Sequence, residues 1–220
     1  MMETKMETKI ERRMVSRQVA PVRLKTRADG SKVITGYGLV FYDAADPQTQ
    51  FWLWDDFVER ISPKALDRAI SEKHDARGLF NHDPDNLLGR VGNGTMRVSK
   101  DAKGGLYEID FDESDPDHQR VAAKLERGDL SGSSFSFYPV RTTWGQETID
   151  GKTVDVRVIE DIDLVDMGPV TFPAYEATTA GMRSAGGLED ALAERAARRR
   201  AREAEAIEID LRTARAIAEG

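Results

Sequence analysis

The chain has 220 residues, 40% of them hydrophobic and 32% charged, which fits one domain of ordinary size with some additional length. It contains no cysteine, so disulfides, thiolate metal ligands and a cysteine nucleophile are excluded. The formal net charge of −7 argues against a nucleic-acid partner, and the short apolar runs and charged start predict neither a membrane span nor a signal peptide.

Residues 1–16 form a polar N-terminal segment with a short tandem repeat, Met2 to Lys5 and Met6 to Lys9. A segment of this composition buries little apolar surface, so we predict that it is disordered.

Residues 17–182 have the pattern of one mainly β domain. Two β-rich runs, 18–24 and 32–41, flank Asp29-Gly30, a typical hairpin turn. Further strand candidates are 87–91, 95–98, 106–111, 133–143 and 153–158. Many short strands separated by turn signals indicate a barrel or a sandwich.

Two helices are predicted between these strands. The first starts at Ser62-Pro63, with Ser62 as N-cap and Pro63 at the first helical position. The second starts in the same way at Asp115-Pro116 and ends at Gly128, a typical C-terminal stop.

Residues 187–220 are rich in Ala, Glu and Arg, which predicts a long helical tail after a hinge at Gly186-Gly187. A thin apolar stripe runs along it: Ile207, Leu211, Ala214 and Ala218. A helix with so little apolar surface hardly folds alone, so we expect it to pack on a partner and to support self-association.

The three histidines are the candidates for a catalytic base. His118 lies in the first turn of an acidic helix and His74 follows a helix, so both are predicted to be surface residues. His82 follows a short apolar run and precedes Asp83-Pro84, a pattern typical of a side chain held at a strand end. The pattern alone leaves His82 open between a functional residue and an ordinary turn residue.

Serine and phenylalanine alternate between Gly132 and Phe137. If this run is a strand, Phe135 faces the core with Phe137, and Ser134 and Ser136 share the opposite face. A serine hydroxyl becomes a strong nucleophile when a base lies within hydrogen-bond reach and a third group orients that base. By itself the run is better explained as a strand edge of small residues.

Several acidic residues are candidates for the third group: Glu160, Asp161, Asp163 and Asp166. Near His82, Asp83, Asp85 and Asn86 offer oxygen ligands, but their spacing is not that of a calcium loop and the chain has no HExxH motif. We therefore expect no metal and no cofactor.

Taken together and in this order, the segments resemble the tailed-phage prohead (head-maturation) protease family over about residues 10–182. The resemblance is carried by the segments 9–13, 34–41, 57–66, Leu79-Phe-Asn-His82-Asp83, 88–90, Gly132-Ser-Ser134-Phe-Ser-Phe137 and 164–175. Each segment alone is weakly specific, whereas the ordered set is quite specific.

The resemblance implies that Ser134 is the nucleophile, His82 the base and Asp166 the orienting carboxylate. The family commonly has Glu where this chain has Asp166, Ser where it has Gly168, and Gly where it has Ser136. Asp163 therefore stays open as the alternative third residue.

The resemblance also implies a fold and a function. The fold is α+β and mainly β: an antiparallel barrel of the herpesvirus maturation protease type, with a few flanking helices and a C-terminal helix. The function is that of a serine endopeptidase that cleaves the major capsid protein or its scaffolding segment, and itself, inside the procapsid in the host bacterial cytoplasm. The alternatives are a non-catalytic capsid-assembly or scaffolding factor on a protease-like barrel, and a β-barrel binding module.

Overall fold

The computed structural model describes residues 9–15, 21–172 and 188–218. The chain divides into two compact units, residues 1–186 and 187–220. The strands of the first unit are β1 (Glu11–Val15), β2 (Arg23–Thr26), β3 (Lys32–Val40), β4 (Phe51–Trp54), β5 (Phe57–Ile61), β6 (Arg77–Leu79), β7 (Leu87–Arg90), β8 (Met96–Lys100), β9 (Gly104–Asp110), β10 (Gly132–Ile149) and β11 (Lys152–Val170). Its helices among the described residues are α1 (Asp67–Ser71) and α2 (Pro116–Arg127).

The strands form two sheets. The seven-stranded sheet has the order β1-β10-β11-β5-β4, with β6 and β7 attached beside β11, and the four-stranded sheet has the order β2-β3-β9-β8. The hairpin of β10 and β11 forms the centre of the first sheet, and β11 pairs in parallel with β5 at one end and with β6 at the other.

The mainly β prediction is confirmed, but the first sheet is mixed and not purely antiparallel, because the chain returns to β11 in the same direction as β5 and β6. Among the described strands the pairings form no closed ring. The barrel closure that the resemblance implies therefore stays a prediction.

The core contains side chains from both sheets. Its fully buried members from β3, β9 and β10 are Ile34, Leu39, Tyr107, Ile109, Phe135 and Phe137. Phe135 and Phe137 stack with ring centroids 4.9 Å apart, as expected for residues that share one face of a strand. Burial of each such side chain stabilises the fold by about 1.5–3 kcal/mol, so the core holds β10 firmly in place.

A buried ion cluster attaches β1 to the rest of its sheet. Arg13 donates to Glu59 on β5 at 2.6 Å and to Glu11 at 2.5 Å, and Arg157 on β11 donates to both carboxylates at 2.8 Å. The prediction of disorder over residues 1–16 is thus wrong for residues 11–15, because this strand buries Glu11 and Arg13 among opposite charges. Residues 1–8 and 16 lie outside the described residues.

Two element predictions need correction. The chain forms turns after Ser62, and α1 begins at Asp67, because Ser62 accepts only a 3.3 Å hydrogen bond from the Lys64 amide and does not cap a helix. Strand β5 was not predicted, since charged Glu59 and Arg60 interrupt its apolar pattern; both side chains are buried against opposite charges. Strand β4, a short aromatic run, was not predicted either.

Helix α2 begins and ends where the sequence predicts. The side chain of Asp115 accepts a hydrogen bond from the Asp117 amide at 2.7 Å, Pro116 opens the helix, and Gly128 ends it with a φ of 81°.

The second unit is a single helix, α3 (Leu188–Ala218). Ion pairs at i,i+4 spacing, such as Arg212 with Glu208 at 2.6 Å, lie along it, and Ile207 is exposed. The side chains of Leu211, Ala214 and Ala218 lie outside the described residues. No helix in the described part of the chain is long and apolar enough to cross a membrane.

Candidate active site

Two cross-strand pairs of β10 and β11 form one small patch of the sheet face. Ser136 lies opposite Asp166, and Ser134 lies opposite Gly168. Directly opposite residues in an antiparallel pair project to the same face, so these four positions are neighbours. The patch brings two predicted site residues, Ser134 and Asp166, to one surface.

The third predicted residue, His82, is held over this patch by a tight turn after β6. Both Asn81 and His82 have a φ of 59°, in the left-handed region that non-glycine residues seldom adopt. The Asn81 amide donates to the Pro169 carbonyl at 3.0 Å, its side chain donates to Thr171 Oγ1 at 2.9 Å, and its Oδ1 accepts from the Thr171 amide at 2.7 Å. These contacts hold the turn in its strained conformation.

The imidazole of His82 bridges the other two residues. His82 Nδ1 lies 2.5 Å from Asp166 Oδ1, and His82 Nε2 lies 2.6 Å from Ser134 Oγ. Because an ionised carboxylate can only accept a hydrogen bond, Nδ1 must carry its proton and donate to Asp166, and this tautomer leaves Nε2 free to accept a hydrogen bond from the serine hydroxyl. This connectivity is the one required for base-assisted attack by a serine.

The two flanking serines have different partners. Ser136 Oγ lies 3.0 Å from His82 Nδ1 and accepts a hydrogen bond from Arg12 Nε at 3.3 Å, so it contacts the imidazole on its Asp166 side. Ser133 is buried and lies 2.9 Å from the Tyr107 hydroxyl, whose pKa is raised by burial. Ser134 is therefore the member of the run that lies at Nε2.

The hydroxyl of Ser134 has a second acceptor within reach. It lies 2.9 Å from the backbone carbonyl of Arg13 on β1, and its side chain is fully buried. A hydroxyl donates one proton at a time, so the carbonyl competes with His82 Nε2 for it. The contact with Nε2 is the shorter of the two.

Asp163, the alternative third residue, lies away from His82. It accepts from Arg68 Nη2 at 2.6 Å, and hydrogen bonds from Arg68 to Asp161 and Asp163 raise the pKa of that guanidinium. The strand register shifts just after Ser136, so simple alternation along β11 does not decide which face Asp163 shares with Asp166. Asp163 thus binds Arg68 of α1, whereas Asp166 contacts His82, so the two carboxylates have different partners.

The other two histidines belong to the scaffold. His74 lies beside Glu72, with 3.3 Å between its Nε2 and the carboxylate. The prediction that His118 lies at the surface is wrong: it is buried, its Nδ1 accepts from the Asp112 amide at 3.1 Å, and its ring packs against Phe111. The amphipathic turn of α2 places His118 on the inward face.

The loop that follows His82 has no arrangement suited to a metal ion. Asp83 accepts from the Asp85 amide at 3.0 Å and caps a short 3-10 turn, Pro84–Asn86. Within the described residues, no three histidine or carboxylate side chains are grouped to hold a metal.

The structural roles of three residues at this site were not predicted from the sequence. Asn81 and Thr171 hold the turn, and Gly168 leaves room for it. Only Asn81 had a recognisable signal, because asparagine tolerates the left-handed conformation better than most residues.

Comparisons with known proteins identify the family. The sequence model of the family described as "Caudovirus prohead serine protease" matches residues 20–190. None of the curated proteins matches the chain significantly. The solved structure of the bacteriophage T4 capsid assembly protease, gp21, is 12% identical and aligns with 76% of this chain and 99% of its own length, with a TM-score of 0.47. Because the family model matches well over half of the sequence, the chain belongs to the caudovirus prohead serine protease family.

Proposed function

We propose that the protein is a serine endopeptidase in which Ser134 is the nucleophile, His82 the general base and Asp166 the orienting carboxylate. The observation that carries this proposal is the continuous chain of short contacts from Asp166 through His82 to Ser134, of 2.5 Å and 2.6 Å. It occurs in a member of a protease family whose name specifies serine.

The geometry supports a two-step reaction. Ser134 Oγ attacks the scissile carbonyl while His82 Nε2 takes the hydroxyl proton, and His82 then gives that proton to the leaving amine. A water that His82 deprotonates then attacks the acyl carbon, the bond from this carbon to Ser134 Oγ breaks, and His82 returns the proton to the serine oxygen. Asp166 stays ionised throughout, fixes the proton on Nδ1 and stabilises the imidazolium that forms in each step.

The site is preorganised by its scaffold. Ser134 and Asp166 lie on the adjacent strands β10 and β11, whose pairing is regular from Ser133 to Ser136. The packing of Phe135 and Phe137 in the core fixes β10 in place. A preorganised site of this kind lowers the barrier because little reorganisation is needed when charge develops. The alternative of a non-catalytic assembly factor is not favoured, since it gives no reason for this arrangement.

Membership of the family makes the protein a protease of phage head maturation, which acts on capsid proteins inside the procapsid. We propose that its substrates are the major capsid protein or the scaffolding segment of that protein, and its own chain. The T4 neighbour is named a capsid assembly protease, which agrees with this class of substrate.

The test is cleavage of the precursor capsid protein of the same phage, with its scaffolding segment, by purified wild-type protein and three variants. Wild type should release defined fragments, whereas Ser134→Ala and His82→Ala should lose activity by several orders of magnitude and keep the wild-type circular dichroism spectrum. Ser136→Ala is the matched control and should retain cleavage. If Ser134→Ala released fragments in the same yield as wild type, the nucleophile would have to be another residue.

We further propose that the two sheets are parts of a closed barrel of the herpesvirus maturation protease type. The support is the single hydrophobic core that β3, β9 and β10 share between the sheets. An experimental structure of the assembled protein should show additional strand pairing that joins the sheets into a ring. Two sheets that stay separate in that structure would contradict the proposal.

A further inference from the structure

The patch beneath His82 has one corner without a side chain. Ser134, Ser136 and Asp166 occupy three of its four positions, and each contacts the imidazole of His82. The fourth position is Gly168, directly opposite Ser134 on β11. A side chain at this position would therefore project from the same face, beside the nucleophile.

The backbone of Leu79 fills the space that this side chain would need. A Cβ atom on Gly168 would lie 2.9 Å from the carbonyl carbon and 3.0 Å from the amide nitrogen of Leu79, and closer still to its carbonyl oxygen. Backbone atoms do not rotate away as the end of a flexible side chain does. Any residue other than glycine must therefore push β6 away from β11.

This close approach determines where the imidazole lies. Leu79 is the last residue of β6, and β6 pairs with β11 at Asp166 and Met167 itself. Since His82 follows Leu79 by three residues, the spacing between β6 and β11 sets the distance from Nδ1 to the carboxylate. Asp166 has a short side chain, so the contact of 2.5 Å requires closely spaced strands.

We propose that Gly168 is a positioning residue: it lets the backbone of Leu79 lie on β11 and so brings His82 within reach of both Asp166 and Ser134. The inference rests on the proposed function, because it assumes that these three residues act together. It also predicts a compensation. A longer carboxylate at position 166 should bridge the wider gap that a side chain at position 168 creates.

Gly104 provides a matched control in the other sheet. A Cβ atom on Gly104 would overlap the backbone carbonyl of Leu39 in the same manner, and would lie 2.9 Å from the Cα of Val40. Gly104 lies on β9 and pairs with β3, which carries none of the three proposed catalytic residues. Gly104→Ala therefore reproduces the packing strain of Gly168→Ala without its effect on His82.

The experiment compares Gly168→Ala, Asp166→Glu, the double variant and Gly104→Ala for kcat and KM on the precursor capsid protein. Because a misplacement of about 1 Å costs about 100-fold in rate, we expect Gly168→Ala to lower kcat about 100-fold with KM nearly unchanged. Asp166→Glu alone should lower kcat about tenfold, since the close strands leave no room for the additional methylene. The double variant should recover at least about tenfold relative to Gly168→Ala.

Proton NMR of the wild-type protein and Gly168→Ala adds a readout that does not depend on turnover. The downfield Nδ1 proton of His82 should be present in wild type and lost or shifted in Gly168→Ala, and Gly104→Ala should keep it together with wild-type kcat. Wild-type kcat in Gly168→Ala, no recovery in the double variant, or equal losses in Gly104→Ala would overturn the proposal.

Two further outcomes remain decisive. If Gly168→Ala does not fold, the activity of Asp166→Glu alone tests the proposal. Full activity of Asp166→Glu would contradict it, because the close approach of Leu79 to β11 should leave no room for the longer side chain. If the proposed function itself is wrong, the result is different: the wild-type protein has no activity, or Ser134→Ala remains as active as wild type. In that case the Nδ1 resonance still tests whether Gly168 positions the imidazole.

Discussion

At the scale of single residues, the carboxylates Asp163 and Asp166 are distinguished by the side chains that they contact. Both lie on β11, but Asp166 contacts His82 and Asp163 contacts Arg68. Asp166→Asn should keep the size of the side chain but lose the charge that stabilises the imidazolium, so we expect kcat to fall about 1,000-fold or more. Asp163→Asn should leave kcat within about threefold of wild type. Steady-state kinetics of both variants give the ranking, and the reverse order would transfer the role to Asp163.

Ser136 also contacts the imidazole of His82, but at a longer distance than Asp166 does. Its hydroxyl lies 3.0 Å from His82 Nδ1, which also has the closer contact with Asp166. The net value of one such hydrogen bond is about 0.5–1.5 kcal/mol, so Ser136→Ala should lower kcat by roughly tenfold at most. Abolished cleavage in Ser136→Ala, measured under conditions in which Ser134→Ala stays active, would contradict this order of importance.

At the scale of elements, the sequence reveals strands better than it reveals the turn that carries His82, the proposed base. The alternation around Ser134 predicts β10 and its two faces, because period-two burial is a local property. The turn at Asn81 and His82 depends on contacts with Pro169 and Thr171, about 90 residues away in the chain. No local pattern contains that information, and the same limit hid Gly168.

Charged strands were missed for a related physical reason. A buried Glu or Arg is unfavourable unless a partner of opposite charge lies beside it, and the partners of β1 and β5 come from β11. The residue pattern of these strands therefore looks solvent-exposed until the sheet is assembled. Predictions of disorder from polarity alone fail in such cases.

The buried ion cluster should contribute strongly to stability. Although burial tends to raise the pKa of Glu59, the charges and hydrogen bonds of Arg13 and Arg157 outweigh burial and hold that pKa below its ordinary value of 4.5. Removal of one partner from a buried ion pair costs about 3–5 kcal/mol, so Glu59→Gln should lower the free energy of unfolding by that amount at neutral pH. Urea denaturation measures it. Glu113→Gln, at an exposed ion pair with Lys32, is the control and should change stability by less than about 1 kcal/mol.

The sign of the pH dependence follows from the direction of the shift. A carboxyl whose pKa is lower in the folded protein than in the unfolded chain stabilises the fold above the unfolded value, and this contribution is lost as pH falls through the folded pKa. The difference between wild type and Glu59→Gln should therefore be largest above about pH 4.5 and should narrow as the pH falls further. A difference that grows with acidification would contradict the assignment.

At the scale of the whole molecule, the chain consists of a β unit, which contains the candidate site, and a separate helical unit. All three proposed catalytic residues lie within residues 1–186. We expect a chain truncated after Ser184 to fold and to cleave the precursor capsid protein at a rate within about threefold of the full chain. We also expect it to lose self-association or incorporation into the shell. Loss of the cooperative unfolding transition after truncation would mean instead that the helix belongs to the core.

The proposed function requires that Ser134 is a nucleophile activated by His82. A fluorophosphonate probe phosphonylates such a serine oxygen with loss of fluoride, and peptide mass spectrometry locates the modified residue. We expect modification at Ser134 in wild type and in Ser136→Ala, strongly reduced modification in His82→Ala, and none in Ser134→Ala. Modification at Ser133 or Ser136, or equal modification of Ser134→Ala and wild type, would contradict it.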